Sequence, residues 1–214
     1  MSKPLQRVIK RAVDMAAASA GLVLAAPVMA TASCAILATM GRPILFRQER
    51  PGKDGRIFTL FKFRTMSEPK PGEAWLRTDA KRTTFVGAAL RKTSVDELPS
   101  LLNVLRGDMS LVGPRPLLVD YLAQYTPRQS RRHEVPSGIT GWAQVNGRES
   151  IPFSRRLELD VWYVENWSLL LDLKILLRTI GVTASGSGHY EGGETLESVD
   201  DLGFSQMTKG AQLN

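Results

Sequence analysis

Residues 15–40 form 26 consecutive positions without a charged side chain. Read as one straight helix, the run measures about 39 Å, more than the roughly 30 Å hydrocarbon core of a bilayer. Shorter patterns follow it. Residues 43–48 and 56–63 read as two strands, joined across 51–55, where Pro51-Gly52 and Gly55 flank Lys53-Asp54 in strong hairpin chemistry. Pro69 and Pro71 mark a loop. Leu98, Leu101, Leu102 and Leu105 recur at helical spacing with Gly107 as a stop, and residues 155–180 carry a second helical period interrupted at 166–168. Residues 138–148 read as a Gly-rich loop that matches neither the P-loop nor the dinucleotide fingerprint.

The long apolar run has a fault at its centre. Pro27 removes a helical hydrogen bond and its ring clashes with the Val23 carbonyl, so a bend is expected at Ala26-Pro27. Lys3, Arg7, Lys10 and Arg11 precede the run, and Arg42, Arg47, Arg50, Lys53 and Arg56 follow it. Basic flanks favour the cytoplasmic face, and here both flanks ask for it. A re-entrant helix that bends and returns satisfies both ends. Ten alanines suit shallow insertion, and Ser19, Thr31, Ser33 and Thr39 are available to cover backbone groups freed at the bend. A single span is the competing reading. A signal peptide fits less well, because the stretch outruns an ordinary h-region of about 7–15 residues.

Charge then has to be located. The chain of 214 residues carries a net +7. Residues 185–214 hold six glycines, five acids and one lysine, and read as a mobile tail; the body before them is left with 27 basic and 16 acidic residues. A cationic body admits nucleic acid, anionic lipid or a phosphorylated substrate. The single cysteine, Cys34, excludes an intramolecular disulfide framework and reads as a packed thiol. The basic and aromatic residues of 56–63 read as one packing face rather than a nucleic-acid platform. His133 and His189 receive no role.

The chemistry concentrates in residues 91–116. Pro99 in a first helical turn places Asp96 and Glu97 at a helix N-terminus. Ser94 to Glu97 also matches a capping box, which would make the carboxylates structural. Their company favours chemistry: Arg91, Lys92 and Arg106 lie close in sequence, and Arg115 is held between Pro114 and Pro116, which lowers the entropy cost of clamping a phosphate. Adjacent carboxylates amid cations supply a nucleophile and a metal ligand. Trp142, Trp162 and Trp167, with Lys174 and Arg178, suit either a helix lying on a bilayer surface or ordinary packing.

A set of ordered motifs over residues 8–180 resembles the monotopic phosphoglycosyl transferases, bacterial sugar transferases that start glycan assembly on a polyprenyl phosphate. The carriers are Lys10-Arg11 with Asp14, Arg50-Pro-Gly52, Phe61-Lys-Phe-Arg-Thr-Met66, Asp96-Glu-Leu-Pro99, Asn103-Val-Leu105 with Gly107 through Pro116, residues 138–148, Leu159-Asp160 with Tyr163, and Asp172-Leu-Lys-Ile175. The resemblance implies an α+β protein in three parts: a re-entrant helix-break-helix anchor at 1–41, a catalytic domain at 42–184 with a small β-hairpin and amphipathic helices, and the tail. It implies a ping-pong reaction with Mg²⁺ in which Asp96 attacks the β-phosphorus of a UDP-sugar, UMP leaves, and undecaprenyl phosphate takes the phosphosugar. Glu97 is expected to bind or position the metal with Asp96, and Arg91, Arg115 and Arg148 to hold phosphates beside Pro114 and Pro116. The expected seat is the cytoplasmic face of the bacterial inner membrane, against anionic lipids and without nucleic acid. A homodimer is left open, as is the choice of sugar, and the competing class is a membrane-tethered binding or scaffold protein without catalysis.

Overall fold

The computed structural model describes residues 3–68, 82–147, 150–185 and 200–204. The chain is α+β, as expected. Helix α1 (Lys3–Met40) is followed by strands β1 (Leu45–Pro51) and β2 (Ile57–Phe63), paired antiparallel from Leu45↔Phe63 to Pro51↔Ile57. The connection turns through Asp54 and Gly55, both at positive φ. Helix α2 (Phe85–Lys92) starts at Thr84, whose hydroxyl caps the Gly87 N–H. A 3-10 turn (Val95–Ser100) runs into α3 (Leu101–Arg106), which Gly107 ends in the left-handed conformation (φ 92°).

Strand β3 (Met109–Val112) pairs in parallel with β4 (Ser137–Thr140). Sequence reading put the start of a loop at 138; the backbone there is instead a strand. The glycines have a different purpose from loop flexibility: a Cβ on Gly138 would lie 2.1 Å from the Gly113 nitrogen, and one on Gly113 would lie 2.3 Å from the Pro136 oxygen. They let two backbones touch. A short helix α4 (Pro127–Ser130) precedes α5 (Phe153–Asn166) and α6 (Leu169–Ser185), whose break falls where the helical period was interrupted.

Helical structure in α1 continues through Ala26 and Pro27, so these residues form no loop-like break. Thr31, Ser33 and Thr39 donate to the carbonyls four residues before them, at Pro27, Met29 and Ala35, and not to the Val23 carbonyl that Pro27 leaves without its amide. Both halves of the helix pack on the same body. Ala18 joins Leu60, Leu101 and Val104 in one core, while Ala32 and Ile36 join Phe63 and Leu90 in another. Between them Val23 and Leu24 are 75% and 80% exposed.

Polar latches fix α1 to the rest of the chain. Buried Asp14 accepts from Ser110 Oγ at 2.7 Å and from the Leu111 N–H at 3.2 Å. Lys10 meets Asp172 at 2.6 Å and donates to the Val112 carbonyl. Asp172 also accepts from Tyr163 and Trp167. Arg11 donates to the Val104 and Leu105 carbonyls at the end of α3, and Arg64 to those of Met40, Gly41 and Arg42 at the end of α1. Cations at helix C-termini complete orphan carbonyls and oppose the dipole's negative end. Residues 200–204, assigned to a mobile tail by composition, are docked: Phe204 packs on Tyr121, Phe153 and Tyr125, and Asp201 accepts from the Ser154 backbone and hydroxyl at the start of α5.

Candidate active site

The capping box does not form. Ser94 adopts φ 56° and makes no side-chain cap, and the turn it opens is 3-10 rather than α. Glu97 is therefore free to turn away from the helix. Its Oε1 accepts from Lys62 Nζ at 2.7 Å and from Arg115 Nη2 at 2.9 Å. Burial opposes the charge on Glu97, but Arg115 and Lys62 overcome it and hold the carboxyl well below its usual range. The same burial pulls the Lys62 ammonium down, against the attraction of Glu97.

Asp96 presents the opposite case. Its carboxylate makes no hydrogen bond or ion pair among the described residues. Burial and the neighbouring Glu97 charge push its carboxyl up, while Lys62, Arg115 and Arg91 act to bring it down. The result is an uncommitted carboxylate facing three cations.

Supporting contacts set the cationic side chains. Lys62 rides on β2, whose Phe61 N–H and Thr59 carbonyl are both held by fully buried Asn103, and whose Phe61 carbonyl accepts from Ser100. The three carbonyls around Arg115 are each engaged. The Gly138 N–H donates to Pro114, Arg132 to Arg115 at 2.6 Å, and Arg50 to Pro116 at 3.4 Å. Arg132 is itself paired with Asp160 at 2.6 Å, and burial beside Arg115 brings Arg50 down to about 10. Arg91 donates to Thr65.

A cavity of about 140 Å³ opens on the Glu97 side of the dyad, lined by Ser94, Glu97, Arg115 and Gln144 among aliphatic side chains; Asp96 and Arg91 are not among its wall residues. Of the residues expected from sequence, Asp96, Glu97, Arg91 and Arg115 come together. Pro114 and Pro116 serve Arg115 through backbone position and are not in the cavity wall. Arg148 lies outside the described residues. Lys62, Asn103 and Arg132 were missed as site residues. Their sequence signal is weak, since a lysine in a strand 34 positions before Asp96 says nothing of its neighbour until the chain folds.

The dyad suits Mg²⁺ by its donors. Both ion pairs of Glu97 fall on Oε1, leaving Oε2 outside them, and Asp96 contributes further oxygens. Mg²⁺ takes one or two carboxylates and completes its shell with water and substrate phosphate. Among the described residues no cluster of three or more His, Cys, Asp or Glu side chains is present to hold an ion without substrate.

Comparison with known proteins gives the class. The model of the family described as bacterial sugar transferase matches residues 5–186. The chain is 51% identical over 173 residues to the uncharacterised sugar transferase EpsL of Bacillus subtilis, covering 81% of this chain and 86% of the relative. It is 44% identical over 191 residues to the UDP-glucose:undecaprenyl-phosphate glucose-1-phosphate transferase of Caulobacter vibrioides, covering 83% and 72%. It is 36% identical over 208 residues to the undecaprenyl-phosphate galactose phosphotransferase of Salmonella typhimurium, covering 89% of this chain but 43% of that longer protein. The chain belongs to the bacterial sugar transferase family and is a phosphoglycosyl transferase.

Proposed function

We propose that the protein transfers a sugar 1-phosphate from a UDP-sugar to undecaprenyl phosphate, releasing UMP, at the first membrane step of exopolysaccharide or related glycan assembly. The names of the Caulobacter and Salmonella relatives support both substrates. The observation that carries the reading is the division of labour in the dyad. Glu97 is locked between Lys62 and Arg115, and Asp96 is left without a bond of its own.

An Asp96 oxygen attacks the β-phosphorus. The bond from that phosphorus to the oxygen bridging to the α-phosphate breaks, and UMP departs with the electron pair. A phosphate oxygen of the lipid then attacks the same phosphorus and returns the Asp96 carboxylate. One phosphoanhydride linkage replaces another, and dividing the displacement in two is the gain covalent catalysis offers. Lys62, Arg91 and Arg115 neutralise the diphosphate so that an anionic nucleophile can approach. Mg²⁺, held by Asp96 and Glu97, would supply further charge neutralisation at the phosphates.

The proposed membrane seat draws its support from α1. Contacts at Asp14 and Ala18, and again at Ala32 and Ile36, bring both halves of α1 onto one body. That supports a helix entering and leaving by the cytoplasmic face of the inner membrane over a span that crosses it. Leu170, Leu173, Leu177 and Ile180 form an exposed apolar stripe on α6, suited to the same surface and its anionic lipids.

The test is Asp96→Asn, which exchanges the nucleophile for an amide of similar shape. UMP release from UDP-sugar should fall by about 10³-fold or more, and the mass adduct of a phosphosugar should be trapped on the peptide bearing residue 96 in the active protein only. Retained turnover would remove Asp96 from the chemistry.

A further inference from the structure

The cavity beside the dyad contains a group that phosphate transfer does not use. Gln144 opens the 3-10 turn Gln144–Asn146, is 8% exposed, and lines the same cavity as Glu97 and Arg115. Neither its Nε2 nor its Oε1 has a hydrogen-bond partner. Buried polar atoms are ordinarily paired, because an unmade hydrogen bond leaves their desolvation uncompensated. The surrounding backbone nevertheless makes room for the amide. A Cβ on Gly141 would lie 2.6 Å from Gln144 Oε1 and 2.2 Å from the Gly113 oxygen, so a side chain there would dislodge either the amide or the backbone. In the same wall the Thr140 and Thr179 hydroxyls satisfy each other at 2.7 Å.

The chemistry of the vacant partner can be deduced from the pair of atoms. Gln144 presents one donor group and one acceptor side by side, among Leu98, Leu101, Ile139, Val145 and Val182. A phosphate offers acceptors and would leave Oε1 unmet. An isoprenoid chain offers neither donor nor acceptor. The imide edge of uracil offers an N3–H next to a carbonyl oxygen, complementary to Oε1 and Nε2, and its flat apolar faces suit aliphatic walls.

We propose that Gln144 reads the base of the nucleotide sugar, its amide pairing with the uracil N3–H and the adjacent carbonyl. The assignment rests on the UDP-sugar reading of the site.

The test compares UMP with 3-methyl-UMP, which lacks the N3 proton, by calorimetry on the full-length protein in detergent, with turnover and KM measured in parallel. The wild type should bind UMP about tenfold more tightly than 3-methyl-UMP. In Gln144→Met, UMP should weaken about tenfold and the two nucleotides become equal, with the KM for polyprenyl phosphate unchanged. Equal affinities in an active wild type overturn the Gln144 assignment alone. So does a Gln144→Met enzyme in which the KM for polyprenyl phosphate rises while UMP binding stays, which would give the amide to the lipid. Absence of UMP release with every UDP-sugar overturns the parent reading and this one with it. If the Met variant fails to fold, the two nucleotides on the wild type still decide.

Discussion

Two arginine–carboxylate pairs in this molecule have nearly the same length and opposite uses. Arg132 meets Asp160 at 2.6 Å with side chains 1% and 4% exposed; Arg115 meets Glu97 at 2.9 Å with side chains 36% and 15% exposed. The closed pair has no face left for a ligand, and the Nη2 that meets Asp160 also donates to the Arg115 carbonyl. The open pair borders a cavity and stands next to an uncommitted carboxylate. One pair makes the backbone rigid, and the other uses that rigidity to aim a cation. Exposure, not the identity of the charges, separates them.

The largest expected effect that sharpens this contrast is on the closed side. Asp160→Asn leaves the Arg132 guanidinium buried without its counter-charge, and unfolding should be easier by about 3–5 kcal/mol, read from denaturant midpoints. A midpoint unchanged from wild type would mean that the two pairs are not different in kind. On the open side, Lys62→Met should lower turnover by about 10²-fold while leaving the midpoint near wild type. A loss of stability matching that of Asp160→Asn would instead make Lys62 a structural ion. The smallest effect is on pH. Because burial and Glu97 raise the Asp96 carboxyl, its reactive anion is lost at a higher pH than the roughly 3.9 of an ordinary aspartate. The acid limb of kcat/KM should therefore lie above that value, and Lys62→Met should move it further up, since Lys62 favours the anion. An acid limb at or below the ordinary value would contradict the burial argument.

Much of the local structure was legible in the pattern. The hairpin, the Gly107 stop and the break between α5 and α6 each depend on a few neighbouring residues, and they fall close to where turn chemistry and helical spacing put them. The β3–β4 pair was not legible, because parallel pairing joins Ser110 to Gly138 across 28 residues and the glycines that permit it resemble loop residues. The capping box is the instructive error. Ser94 and Glu97 have the right types and spacing, but the left-handed turn at Ser94 and the cations from β2 and the Pro114–Pro116 segment offer Glu97 a stronger partnership than one backbone N–H. Nor did composition foresee the docking of Phe204, which finds three rings and brings Leu202 with it.

The order of residues by itself determined which groups could react: a pair of adjacent carboxylates, a proline-framed arginine, and an apolar segment with cations at both ends. These are covalent and local properties, and they survive any folding of the rest. Tertiary structure alone decided which carboxylate is spent on ion pairs and which makes none, because that depends on how near Lys62 and Arg115 come. Electrostatic attraction falls with distance and rises with burial, and neither quantity exists until segments far apart in the chain are packed together.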